Sequence, residues 1–121
     1  MSLPTPDLLT AVHSRFATRL LAARPALAAS VAERAQAGWE ATAMQARVQQ
    51  LLTESAASLA PEAALHQALR RLRSEVLLTV IERDLRGDAE LGEVVETMTV
   101  LAEVAIQFAL ATLDGLLQQN W

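Results

Sequence analysis

Apolar side chains recur every three or four positions through most of this chain, and proline or glycine interrupts the rhythm at a few places. That pattern describes amphipathic helices joined by short turns. Thr5-Pro6-Asp7 reads as the opening of a first helix: a capping hydroxyl, a proline in the first turn and an acid near the positive helix end. Leu8, Leu9, Val12, Phe16, Leu20 and Leu21 follow at helical spacing. Arg24 precedes a proline, which disfavours helix at that residue, and Pro25 can start a short second helix carrying Leu27 and Val31. Gly38-Trp39 marks the next join. A third helix is expected over about 41–57, with Met44, Val48, Leu51 and Leu52 on one face. "SLAPEAAL" supplies another break, and Pro61 suits the first turn of a fourth helix that continues to Arg86. Gly87 is a natural residue to close it, and Asp88 a natural N-cap for a fifth helix from about 89 to the end.

The last two helices are the long ones, roughly 37 and 45 Å at 1.5 Å per residue. A turn of two or three residues between them predicts an antiparallel hairpin that organises the bundle. In the fourth helix, Leu65, Leu69, Leu72, Val76, Val80 and Leu85 mark one stripe, widened by Leu77 and Ile81. Arg70, Arg71, Ser74 and Glu82 fall mostly elsewhere, so the reading is a core stripe beside a solvated charged face. Arg71–Glu75 and Glu82–Arg86 have the i, i+4 spacing of surface ion pairs, which contribute only about 0.2–0.5 kcal/mol each. The fifth helix carries a wider apolar arc, from Leu91, Val94, Val95 and Met98 through Leu101, Phe108, Leu113 and Leu116. Ala102, Ala105 and Ala109 allow a neighbour to approach closely. An arc that wide favours a buried central helix over a dimer surface.

Composition agrees with this. Apolar residues make up 52% of the 121 positions and aromatics 3%, so a core would be built from Leu, Val and Ala, in an all-α fold. The net charge is −4 and every basic residue is Arg, a balance that offers no footprint for nucleic acid. Without cysteine there is no disulfide framework, thiolate nucleophile or sulfur-ligated zinc. "MSLPTPDLL" lacks the positive region of a secretory signal, and Glu103 and Gln107 interrupt the most apolar stretch, 100–113. The expectation is a soluble, cytoplasmic chain with no nucleic-acid or membrane partner.

Candidate chemistry is thin. Gly87 and Gly92 have the spacing of a phosphate loop, but Glu93-Val94 follows where Lys and Ser or Thr are needed. His13 and His66 belong to no metal motif, and Glu62 with His66 reads as a surface pair. Ser30, Ser55, Ser58 and Ser74 lack a nucleophile elbow. Asp84 and Asp88 suit surface pairing and capping, and Trp39 suits closing one end of the bundle more than an exposed contact. No residue is assigned a catalytic, cofactor-binding or metal-ligating role.

"LRRLRSEVLLTVIERDLRGDAELGEVVETMTVLAEVAIQFAL", residues 69–110, does resemble a known family. Its features are Leu69-Arg70-Arg71, Arg73, the Arg83-Asp84-Leu85 run before Gly87, and Leu101-Ala102-Glu103 followed by Ala109-Leu110. Upstream, "FATRLLAARPALAASV" is similar to that family's aromatic-led helix ending in a basic residue, proline and small apolar residues. The family is the bacterial glutamine-synthetase adenylyltransferases, the bifunctional enzymes that adenylylate and deadenylylate glutamine synthetase, and the resemblance is to their helical N-terminal region. It is specific in the last two helices and loose between Gly38 and Ala60. Ser74, Glu75 and Thr79 interrupt a basic run that is thicker in the family.

The expectation is therefore an all-α bundle of about five helices over 1–121, a single helical domain and the N-terminal segment of a longer enzyme. The resemblance implies that this segment is non-catalytic and braces an adenylyl-removing nucleotidyltransferase domain, with paired aspartates holding magnesium in that domain. It implies for the parent Mg²⁺- and ATP-dependent transfer of AMP to a glutamine-synthetase tyrosine, and phosphorolytic removal. Glutamine synthetase and the PII signalling protein are the implied partners. The alternative is a free-standing helical interaction or dimerisation module.

Overall fold

The computed structural model describes Leu8 and residues 15–119. The opening at Thr5-Pro6-Asp7, the positions Leu9 and Val12, and the side chains of Phe16 and Leu20 lie outside the described residues. Among the described residues five helices follow one another: α1 (Arg15–Ala23), α2 (Pro25–Arg34), α3 (Ala41–Ser55), α4 (Pro61–Arg86) and α5 (Leu91–Gln119). There is no strand among the described residues.

The breaks fall where proline and glycine put them. Arg24 is non-helical at φ −134° and ψ 83°, and Pro25 opens α2. Ala60 is extended and Pro61 opens α4. Gly87, at φ +78°, closes α4 in a Schellman motif: the Asp88 amide donates to the Arg83 carbonyl at 2.8 Å, and the Gly87 amide to that of Asp84 at 3.0 Å. This closure overturns one expectation. Asp88 is committed to finishing α4, and α5 starts only at Leu91, so Asp88 is not its N-cap.

The centre of the bundle is α4, which packs against α2, α3 and α5. On one side Leu72, Val76 and Val80 join Trp39, Met44, Val48, Leu51, Leu101 and Val104 in the main core. On the other, Leu78 joins Leu8, Leu21, Leu27, Ala28 and Val31 in a second core. The expected faces of α2 and α3 are the buried ones, with Leu52 half-buried. The chain folds back after Gly87, bringing Arg83 of α4 onto Glu93 of α5.

Several details of the α4 and α5 stripes differ from expectation. Ile81 and Leu85 are exposed, because the five-residue step from Val80 to Leu85 leaves the face that Leu72 defines. Glu82, assigned to the solvated face, is fully buried, since α4 is covered on most sides in its second half. The largest correction concerns α5. It is not the buried central helix: Leu91, Val95, Ile106, Leu110, Leu113 and Leu117 are all exposed. Its neighbours α3 and α4 cover one side only, so its arc exceeds the surface available to bury it.

By length and composition α5 is also apolar enough to cross a membrane, more so than the stretch 100–113 suggested. Leu101 and Val104 are buried on protein, and Glu103 lies near its middle, where a bilayer would penalise a charge by about 3 kcal/mol.

Leu72 is wholly buried at the contact of α4 with α3 and α5, whereas Arg71 is half-buried and makes no ion pair among the described residues. Leu72→Asp, which places an unpaired charge in the core, should abolish the cooperative thermal transition seen by circular dichroism. Arg71→Ala should move the midpoint by no more than a few degrees. Equal tolerance of the two would put the stripe on the wrong face.

Candidate functional site

Two features of the bundle bear on function: a polar seam buried along α4, and an apolar face left open on α5. The seam fixes the elements that present the face.

At its upper end lies Glu75, 1% exposed. Its carboxylate accepts from Arg47 Nε of α3, 3.1 Å from each oxygen, and from the Ser30 hydroxyl of α2 at 2.8 Å. One carboxylate thus ties three helices together. The surface pair expected between Arg71 and Glu75 does not form, because Glu75 faces inward and is taken by Arg47. One turn on, the Thr79 hydroxyl donates to the Glu75 carbonyl at 2.6 Å and accepts from the Trp39 indole at 3.1 Å. Trp39 is buried, as expected of a residue closing the bundle, and the Arg34 guanidinium stands 4.5 Å from its ring centre. Glu82 pairs with Arg86 as the spacing predicts, from a buried rather than a surface position.

Arg83 closes the lower end. Its Nε and Nη2 grip the two Glu93 oxygens at 2.9 Å each, Nη1 donates to the Ala35 carbonyl at 2.9 Å, and Nη2 also to that of Asp88 at 3.1 Å. The planar fork thereby clamps the end of α2, the α4–α5 turn and the start of α5. Gly38, at φ +77°, lets the chain turn beside this guanidinium. The Arg83 hydrogen bonds hold the Glu93 carboxyl below its ordinary value of 4.5, outweighing partial burial, which acts the other way; Arg83 itself is raised by the same bonds.

These titratable groups close on one another as ion pairs and structural ties. Glu40, Glu93 and Glu96 line one cleft, but Glu93 is held by Arg83, and no group of three or more His, Cys, Asp or Glu is placed to hold a metal ion among the described residues. His66 lies exposed on α4 at the edge of an apolar groove, and no ion pair joins it to Glu62 among the described residues.

The open face is what remains. Along α5, Leu91, Val95, Ala102, Ile106, Ala109, Leu110, Leu113 and Leu117 form one exposed stripe. Glu96, Glu103 and Asp114 flank it, and the helix has no basic residue. Beside the stripe, α4 and α5 enclose a shallow groove of about 390 Å³ with a floor of Leu69, Met98, Leu101 and Ala105 and a rim of His66, Arg70 and Arg73. Groove and stripe meet at Ala102. A surface of this make-up is suited to an apolar protein face, and six large exposed aliphatics on one helix exceed the scattered singles of an ordinary surface.

Comparison with known proteins gives this face its context. The family model described as glutamate-ammonia ligase adenylyltransferase matches residues 8–119. The chain belongs to the glutamate-ammonia ligase adenylyltransferase family. It is 45% identical over 115 residues to a bifunctional glutamine synthetase adenylyltransferase/adenylyl-removing enzyme of Burkholderia mallei, a match covering 95% of this chain and 12% of the relative. The corresponding proteins of Aromatoleum aromaticum (42% over 108 residues, 88% of this chain and 11% of the relative) and Nitrosomonas eutropha (50% over 68 residues, 56% and 7%) are similar. The chain thus spans about an eighth or less of the length of these adenylyltransferase relatives. No solved structure matches it.

Two measurements test the seam. Arg47→Met alone should cost about 3–5 kcal/mol in chemical denaturation by stranding a buried carboxylate, and adding Glu75→Leu should recover much of it; additive losses would contradict the tie. Glu93, with its folded-state value lowered, contributes stability that is present above its unfolded value near 4.5 and lost as pH falls through the folded one. Below pH 4.5 the wild-type melting temperature should therefore fall more steeply than that of Glu93→Gln, modestly because the carboxylate is 42% exposed.

Proposed function

We propose that this chain is a non-catalytic N-terminal helical segment of a bifunctional glutamine synthetase adenylyltransferase/adenylyl-removing enzyme, and that α5 braces the adjoining adenylyl-removing nucleotidyltransferase domain. The observation that carries the reading is the exposed aliphatic stripe of α5. Its six large side chains are each about half exposed or more, so covering them is worth on the order of 1 kcal/mol apiece. The relatives supply the candidate occupant, since most of their length lies outside the matched segment.

In this reading the chemistry belongs to the remainder of the parent: transfer of AMP from ATP with magnesium, phosphorolytic removal, and the responses to glutamine and PII. Glutamine synthetase is the substrate protein, and the enzyme works in the cytoplasm. The segment contributes a rigid wall. The Glu75 tie and the Arg83 clamp fix α4 and the start of α5, so a domain seated on the stripe meets a surface of defined shape.

The same stripe supports a second reading, a free-standing interaction or dimerisation module, in which a further copy of the chain covers it. Ile106→Glu with Leu110→Glu separates the two. In the 121-residue chain the pair should leave the melting temperature within about 3 °C, because both side chains are exposed. In the parent enzyme it should lower stability and deadenylylation together. A concentration-independent dimer of the chain by light scattering, dissociated by this pair, together with an unaffected parent, would transfer the assignment to the dimerisation module.

A further inference from the structure

The start of α2 meets α4 around residues 67–74 in a cleft of about 510 Å³. Arg24, Arg70 and Arg71 line it, with Gln67, Ser74 and the first turn of α2 at Pro25 and Ala26. Among the described residues no carboxylate lines it, although the chain carries 14 acidic residues against 10 arginines. Among the described residues none of these three arginines makes an ion pair, whereas Arg47, Arg83 and Arg86 each hold a glutamate. The Arg24 side chain does not cap α2, so the positive end of that helix opens toward the same space. Three guanidiniums that line one cleft without an ion pair among the described residues repel one another, and an anion seated among them relieves that repulsion.

We propose that this cleft is a binding site for a phosphate monoester. The planar forks of Arg24, Arg70 and Arg71 suit the oxygens of a phosphoryl dianion better than a single carboxylate, because each guanidinium can donate to two oxygens of one group. The Gln67 amide and Ser74 hydroxyl supply further polar contacts for the esterified part. Its volume lies within the range of roughly 300–1,000 Å³ typical of small-molecule sites, well beyond what a bare phosphate ion fills. No residue of the α5 stripe lines the cleft, and Arg70 alone is shared with the rim of the neighbouring groove.

Titration of the 121-residue chain with ribose 5-phosphate, inorganic phosphate and sodium chloride at matched ionic strength, followed by amide chemical shifts, tests this. The expected result is saturable shifts with ribose 5-phosphate for residues 24–27 and 67–74, weaker binding of inorganic phosphate, and loss of affinity at high salt. Arg70→Gln with Arg71→Gln should weaken ribose 5-phosphate at least tenfold while keeping the unliganded spectrum elsewhere. Arg73→Gln, outside the cleft, should leave it unchanged. Inorganic phosphate binding as tightly as the sugar phosphate would overturn the monoester assignment. A response no greater than that to sodium chloride, or one that survives the double substitution, would overturn the site.

Discussion

The bundle depends on one buried carboxylate. Glu75 sits at the centre of α4 with almost no access to water, and a charge there is tolerable only because Arg47 and Ser30 reach it from two other helices. Hydrophobic contact alone is indifferent to small shifts in register. A charge that must find its partner is not, so this tie sets how α2 and α3 lie against α4. Thr79 and Trp39 extend the constraint by a turn, and the Arg83 fork extends it to the start of α5.

That arrangement makes α4 the central helix and leaves α5 half-dressed. The longest and most apolar helix of the chain buries Leu101 and Val104 against the core and leaves a second stripe, from Leu91 to Leu117, facing outward. In a free monomer such a surface costs solubility. The chain spans a small fraction of its relatives' length, and the proposed function gives this surface the rest of such an enzyme to join.

The helices, their breaks and most of the aliphatic core were legible in the sequence because spacing, proline and glycine act locally: Pro25, Pro61 and Gly87 each sit where the chain rules require. The family was legible too, through the residues from Leu69 to Leu110, and the match over 8–119 bears it out. What the sequence concealed is non-local. Glu75, Thr79 and Arg83 follow Leu72 at steps of three, seven and eleven, in register with the buried stripe, yet a polar residue reads as outward until its partner on another helix is known. For the same reason Arg71 looked like the mate of Glu75. The role of α5 was misjudged because an apolar arc reports how much surface wants covering, not which neighbour covers it. The open groove and the arginine cleft join residues of different helices and carry no motif.

The central claim is that the α5 stripe is an internal surface of a larger enzyme. Hydrogen exchange along α5, compared between the 121-residue chain and the parent adenylyltransferase, bears on it most directly. The account predicts that the amides of 106–117 exchange much more slowly in the parent, while those of α4 around Glu75 are already protected in the chain alone. Equal exchange of 106–117 in both would contradict it, for the stripe would then be as bare in the enzyme as it is here.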